Sequence, residues 1–156
     1  MSPEESRCRL LKREIADYFT NKAEVAAVYL FGSQAKRRAI PYSDVDIAIL
    51  IHRENIESAH LKRIEYLAEL GKLLKKDIHP VIMNTAGEEL LRQIFSTGIC
   101  ILVNDQKVLS RFKTAAFPRI AAFSIYQTQI HKGFIDYWGQ PPILNWWLSP
   151  ITMSGS

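Results

Sequence analysis

Two aspartates separated by one residue, Asp44 and Asp46, have the spacing in this sequence that best suits chemistry. They open the apolar run DVDIAILI, which predicts a buried strand. Alternate residues of a strand share a face and lie roughly 6–7 Å apart, so both carboxylates point one way while Val45 and Ile47 point into the core. Like charges this close raise each other's proton affinity. A divalent cation with a preference for oxygen ligands, such as Mg²⁺, would remove that conflict.

A glycine and a serine, Gly32 and Ser33, end the apolar run just upstream. Glycine lets the backbone approach a ligand closely, and successive N–H groups in such a turn can cradle phosphate oxygens. The Ser33 hydroxyl adds a donor, and Lys36, Arg37 and Arg38 in the following loop would steer or clamp a polyphosphate. A phosphate cradle beside a carboxylate-bound metal is what phosphoryl or nucleotidyl transfer requires.

Each of these features taken alone has a simpler structural explanation. A Gly-Ser pair is usually a turn, a D-x-D segment is often an exposed strand start, and a basic run is usually a solvated loop. It is the combination, at this spacing and on these elements, that favours a nucleotide–metal site.

The elements that must position these residues follow from the periodicity of the apolar residues. Short apolar runs predict strands at 25–31, 44–51, 78–83 and 99–103. Helices are predicted at 6–19 and at 54–74. A third helix is predicted to begin at a capping box over Thr85–Glu88 and to end at Gly98. This order predicts an α+β fold, a small mixed sheet with helices packed against it.

Two helical segments carry further expectations. In the segment 54–74, five apolar residues fall near one face: Ile56, Leu61, Ile64, Leu67 and Leu74. From about residue 105 the chain is predicted to be helical again, with Pro118 suited to a helix start. We therefore predict one domain over residues 1–138, followed by a tail, 139–156. The Trp146-Trp147 pair in that tail suits either a docked tail or a partner-facing patch.

Bulk composition narrows the class of protein. The chain has 156 residues, a net charge of +4 and 47% hydrophobic residues, which favours one globular domain. The charge suits an anionic ligand but is too weak to predict nucleic-acid binding. Cys8 and Cys100 make neither a disulfide framework nor a zinc site. No run reaches the about 18 apolar residues of a membrane span, and the charged N-terminus lacks a signal core, so we expect a cytoplasmic protein.

The pattern Gly32-Ser33, ten residues, then Asp44-Val45-Asp46 resembles the signature of the DNA polymerase β-like nucleotidyltransferases. The segments LFGSQA and SDVDIAIL are most similar to the minimal nucleotidyltransferases, the MNT family, and the resemblance covers about residues 8–130. It implies the polymerase β-like nucleotidyltransferase fold. It also implies that Gly32 and Ser33 hold the triphosphate of ATP, and that Asp44 and Asp46 bind Mg²⁺.

The resemblance also implies a biological role. Members of this size are often antitoxins paired with a HEPN-domain toxin, a ribonuclease, and resemble protein adenylyltransferases that place AMP on a tyrosine of the toxin. It thus implies an enzyme that moves AMP from ATP to a protein hydroxyl, releases pyrophosphate, and forms a hetero-oligomer with its partner.

One residue departs from the family pattern. The third carboxylate of these enzymes would fall on the next strand, in the segment DIHPV, where this sequence has His79. His79 would act as a weaker metal ligand or as a base for the acceptor hydroxyl. Alternatively, Asp77, two positions earlier, reaches the metal, or the protein binds nucleotide and transfers slowly or not at all. Pro80 removes a backbone donor and predicts an edge strand or a local irregularity.

Two other functions stay open at this point. A non-catalytic antitoxin would neutralise its partner by contact alone, and His79 in place of a carboxylate favours it. A small-molecule nucleotidyltransferase, such as one acting on an antibiotic, usually needs a further domain or subunit for the acceptor. The remaining histidines, His52, His60 and His131, lack ligand-like spacing and are predicted to be surface or packing residues.

Overall fold

The computed structural model describes residues 2–32 and 44–138, with side chains to residue 133. Its strands are β1 (Val25–Phe31), β2 (Val45–Ile51), β3 (Ile78–Ile82) and β4 (Ile99–Val103). Its helices are α1 (Pro3–Thr20), α2 (Ala59–Leu74), α3 (Glu88–Thr97) and α4 (Gln106–Trp138), with 3₁₀ turns at Arg53–Ser58 and Met83–Thr85. The predicted α+β class and element order are confirmed.

The four strands form one mixed sheet in the order β3-β2-β1-β4. β1 runs antiparallel to both β2 and β4, whereas β2 and β3 are parallel. A parallel pair needs a crossover connection, which α2 supplies. β3 lies at the edge of the sheet, where a proline is tolerated, and this explains Pro80.

Helices cover both faces of the central strands. On one face, Val45, Ile47 and Ile49 of β2 join a buried cluster with residues of α1 and α2, among them Ile15 and Tyr66. On the other face, the ring of Phe95 in α3 packs edge-on against Tyr29 of β1, with centroids 5.6 Å apart. All seven residues of β1 are buried, which is why this strand is apolar throughout.

α2 turns a different face to the core than its aliphatic residues predict. Ala59, Tyr66 and Leu70 are its buried residues. Tyr66 determines this orientation, because its ring packs edge-on against Phe19 at 5.1 Å and its hydroxyl donates a hydrogen bond to Glu24 Oε1 at 2.8 Å. Of the five residues predicted to share a face, Leu74 packs against the core, but the other four are exposed: Ile56, Leu61, Ile64 and Leu67.

The termini of the shorter helices differ from the sequence prediction. A capping box opens α1, where Ser2 and Glu5 exchange side-chain and backbone hydrogen bonds. The box predicted for α3 is wrong, because Thr85 belongs to the preceding 3₁₀ turn, where its hydroxyl donates to the carbonyl of Ile82, and Gly87 is the N-cap. The predicted end of α3 at Gly98 is confirmed; a Cβ there would lie 2.3 Å from the carbonyl oxygen of Ile94.

The C-terminal helix begins close to the predicted position. Asp105 caps α4 by accepting a hydrogen bond from the N–H of Val108 at 3.2 Å. The predicted helix start at Pro118 is wrong, since Pro118 lies inside α4. The chain divides into two compact units, 1–116 and 117–156. The first unit contains the sheet, the second contains the helical residues 117–138, and the Trp146-Trp147 tail lies outside the described residues.

A histidine–aspartate pair joins the end of β2 to the start of α4. His52 Nε2 lies 3.1 Å from Asp105 Oδ2, and His52 Nδ1 lies 3.2 Å from the carbonyl oxygen of Glu24. The hydrogen bond to Asp105 is the main cause that raises the pKa of His52, and the same bond lowers the pKa of Asp105. Within the residues described, His52 is thus a structural residue, as predicted.

We expect this pair to make stability depend on pH. Because the folded-state pKa of His52 is raised, its contribution is fully present below the unfolded value of about 6.5 and is lost as pH rises through the folded value. In urea unfolding, the difference between the wild type and His52→Gln should therefore be larger at about pH 5.5 than at about pH 8.5. Asp105→Asn keeps an N-cap residue but removes the charge, so His52→Gln in that background should lose this pH dependence. If the wild type and His52→Gln, both of which keep Asp105, differed in unfolding free energy by the same amount at the two pH values, the prediction would be wrong.

Candidate active site

Strand register brings the predicted site residues together at one end of the sheet. Phe31, the last residue of β1, pairs with Asp46 in β2, and Asp46 pairs with His79 in β3. This follows from topology, because an antiparallel neighbour places the end of β1 beside the start of β2, and a parallel neighbour places the start of β3 there too. Gly32, which follows Phe31 directly, therefore lies next to the second aspartate.

The two aspartates lie on the open side of β2. Their side chains are 48% exposed for Asp44 and 30% for Asp46, while Val45 and Ile47 are fully buried on the opposite side. The predicted alternation is therefore observed. Partial burial raises the pKa of Asp46; His79 opposes this effect and Asp44 adds to it. The two carboxylates therefore repel each other, and a bound cation would offset this repulsion.

His79 stands between the two carboxylates. Its Nε2 lies 3.2 Å from Asp44 Oδ2 and its Nδ1 lies 4.0 Å from Asp46 Oδ1, with 57% of the side chain exposed. Each ring nitrogen therefore faces one of the aspartates. The sequence placed His79 beside the pair, but this double contact depends on the parallel register of β2 and β3, which the sequence did not specify.

Gly32 is required by the close approach of backbone and carboxylate. Its φ of +70° lies in the left-handed region that favours glycine. A Cβ at this position would lie 2.2 Å from Asp46 Oδ2, a distance that no side chain tolerates. Any residue with a side chain would thus displace Asp46, so the position of this carboxylate depends on the glycine.

Asp77 contacts β2 through its backbone. Its carbonyl accepts a hydrogen bond from the N–H of Val45 at 2.9 Å, directly before β3 begins. Three other predicted residues, Ser33, Lys36 and Arg37, lie outside the described residues, as does Arg38. Their roles in binding a triphosphate stay predictions.

The donor set fits a divalent cation in part. Two carboxylates on one face are a usual protein contribution to a Mg²⁺ site, the rest coming from water and substrate phosphates. Imidazole in the third position suits Mg²⁺ poorly. Among the described residues, no three His, Cys, Asp or Glu side chains form a group arranged to hold a metal. Asp44 and Asp46 are therefore the residues that would hold it, together with a bound nucleotide.

Comparison with known families gives one match. The family model described as Polymerase beta, Nucleotidyltransferase matches residues 13–107, which include Gly32, Asp44, Asp46 and His79. Among curated proteins, no sequence matches the chain. Within the residues described, no helix has the length and apolar character needed to cross a membrane.

Solved structures with the same fold include toxin–antitoxin proteins. One is a toxin–antitoxin with AMP-PNP, 23% identical with a TM-score of 0.60, covering 80% of this chain and 96% of that one. Another is a mutant of the toxin–antitoxin MntA-HepT, 22% identical with a TM-score of 0.58 and the same coverages. A further structure with this fold, of a protein from Shewanella oneidensis, is 19% identical with a TM-score of 0.56 and covers 81% of this chain and 98% of that one. At these identities the likeness establishes the fold.

Proposed function

Because the chain belongs to the polymerase beta nucleotidyltransferase family, we propose that it is an antitoxin that transfers AMP from ATP to a tyrosine hydroxyl of a HEPN ribonuclease toxin. The observation that carries the proposal is the pair Asp44 and Asp46 on the open side of β2, with the backbone of Gly32 held against Asp46. Similar folds in a toxin–antitoxin with AMP-PNP and in MntA-HepT support the choice of nucleotide and partner. The reaction would take place in the cytoplasm.

The proposed reaction is an AMP transfer that releases pyrophosphate. Backbone N–H groups at Gly32 and Ser33 hold the triphosphate, and Lys36 and Arg37 balance its charge. The acceptor oxygen attacks the α-phosphorus of ATP, the bond from that phosphorus to the pyrophosphate oxygen breaks, and pyrophosphate leaves. Mg²⁺, when bound, neutralises charge that develops on the phosphates.

The acceptor proton would go to a base in this site. Asp44 and Asp46 would hold the cation, so their carboxylates are not free to accept this proton. His79 is the candidate base, since imidazole is a competent base near neutral pH. In the present geometry both of its nitrogens face carboxylates, so it would have to turn away from one of them to accept a proton.

A binding-only antitoxin is the second candidate, and one observation favours it. His79 contacts Asp44 and Asp46 where the family pattern has a third carboxylate, and an imidazole there offers Mg²⁺ a poor ligand. Such a protein would inhibit its partner by contact, with little or no transfer.

Labelled ATP separates the two candidates. The purified chain, Mg²⁺, α-labelled ATP and the HEPN-domain protein encoded beside it are incubated together, and label on the partner is followed by gel and by mass spectrometry of the modified tyrosine. Transfer predicts label on the partner and loss of its ribonuclease activity, both only with ATP present. Inhibition without label and without ATP, in an intact complex, would refute the transferase and support the binding-only antitoxin.

A further inference from the structure

Apart from the exposed His60, the side of α2 that faces away from the core is mostly apolar. Leu61, Ile64, Leu67 and Ala68 recur at three- and four-residue spacing and are all exposed, the first three to 70%, 45% and 40%. They form what we call the α2 outer face, while Tyr66 is buried on the inner side. Apolar residues grouped on one exposed helix face mark a surface that binds a partner.

The charges at the two ends of this face are opposite in sign. Exposed Glu57 lies in the 3₁₀ turn just before the helix, and exposed Lys72 lies in the last turn of the helix. In the sequence, Glu57 and Lys72 are equidistant from the midpoint between residues 64 and 65. A partner of uniform charge would meet like charge at one end. A second α2 laid antiparallel about that midpoint places an acid opposite a base at both ends.

We propose that the α2 outer face is a two-fold interface between two copies of this chain, with the two helices antiparallel. A two-fold axis makes each contact occur twice, so Leu61 of each copy faces Ala68 of the other, and Glu57 faces Lys72. Ile64 lies next to the axis. Antiparallel helices also set their dipoles in opposition, which is favourable.

In the proposed dimer, the candidate active site of each copy stays accessible. α2 packs on the sheet face that carries Val45 and Ile47, whereas Asp44, Asp46 and His79 lie on the other side of β2 and β3. The proposal therefore does not depend on the proposed transferase activity. A helix of 16 residues is only about 24 Å long, so we expect weak association, with a dissociation constant on the order of 10–100 µM.

Sedimentation velocity tests the self-association. Between roughly 5 and 500 µM protein, with a reducing agent because the thiol of Cys100 is exposed, the wild type should pass from monomer to dimer. Leu61→Glu should weaken the dimer at least tenfold. The matched control is Leu10→Glu, which places the same charge on α1 at a leucine that is 57% exposed, and should leave the dimer unchanged. Circular dichroism and urea unfolding verify that each variant is folded.

A charge exchange tests the antiparallel register. Glu57→Lys alone and Lys72→Glu alone each place like charges together twice and should weaken the dimer, while the double variant should restore it. A wild type that stays monomeric throughout the range would overturn the proposal, as would a double variant no tighter than either single variant. Variants of this face that keep the dimer but fail to bind the HEPN protein would also overturn it, because the occupant would then be that protein.

Discussion

AMP transfer is expected to fall by at least ~10³-fold when Asp44 and Asp46 are both replaced by asparagine. Asparagine keeps the size of each side chain but removes the two negative charges that would hold a divalent cation against the phosphates. The measurement is the initial rate of label transfer from ATP to the partner at saturating Mg²⁺. Asp17→Asn, on the exposed side of α1, is the matched control and should transfer at the wild-type rate.

The same double variant should be no less stable than the wild type. Burial raises the pKa of Asp46 by more than His79 lowers it, and Asp44 adds to the increase, so replacing the charged carboxylate by an amide removes an unfavourable contribution from the folded protein. Both groups are partly solvated, so the gain in unfolding free energy should stay below about 1 kcal/mol. Loss of transfer with unchanged or slightly higher stability would assign the pair to function. Loss of both together would instead assign the aspartates to the fold and contradict the proposed site.

Replacing His79 by aspartate is expected to raise Mg²⁺-dependent transfer at least about tenfold. The change removes a nitrogen donor that suits Mg²⁺ poorly and places a third carboxylate next to Asp46 in the strand register. It also concentrates negative charge, so Mg²⁺ should raise the Tm of His79→Asp more than that of the wild type, because a cation bound only by the folded state stabilises it.

Two control variants show whether the carboxylate itself causes the gain. His79→Asn removes the imidazole without adding a charge, and His60→Asp adds the same carboxylate on the exposed side of α2. Neither should increase transfer. If His79→Asp and His79→Asn both transfer more slowly than the wild type, the imidazole is itself required, and His79 would be the base that accepts the acceptor proton.

Local patterns in the sequence predicted the strands well. β1 and β4 have the predicted bounds, and β2 begins one residue later than predicted, at Val45. These strands are short apolar runs bounded by glycine or polar residues, so burial and local signals agree. The glycine and both aspartates of the candidate site were identifiable for the same reason, because their spacing along two adjacent strands already places them together.

The features that sequence did not predict depend on tertiary contacts. The aliphatic residues of α2 outnumber its buried ones, and the side that faces the sheet carries Tyr66, which packs against Phe19 and donates a hydrogen bond to Glu24. Thr85 has the right spacing for a capping box, but a 3₁₀ turn uses its hydroxyl. Pro118 suits a helix start by its own geometry, yet the helix already begins at the cap formed by Asp105.

The position of His79 on an edge strand has a consequence for how this protein can evolve. Gly32, Asp44 and Asp46 lie where the end of β1 meets the start of β2, and a change at the glycine would displace a carboxylate. His79, by contrast, is more than half exposed and reaches the site from the rim of the sheet. Substitutions there should have little effect on folding, because few contacts are lost. Selection can therefore adjust the rate of the proposed transfer at this one position while the rest of the site stays fixed.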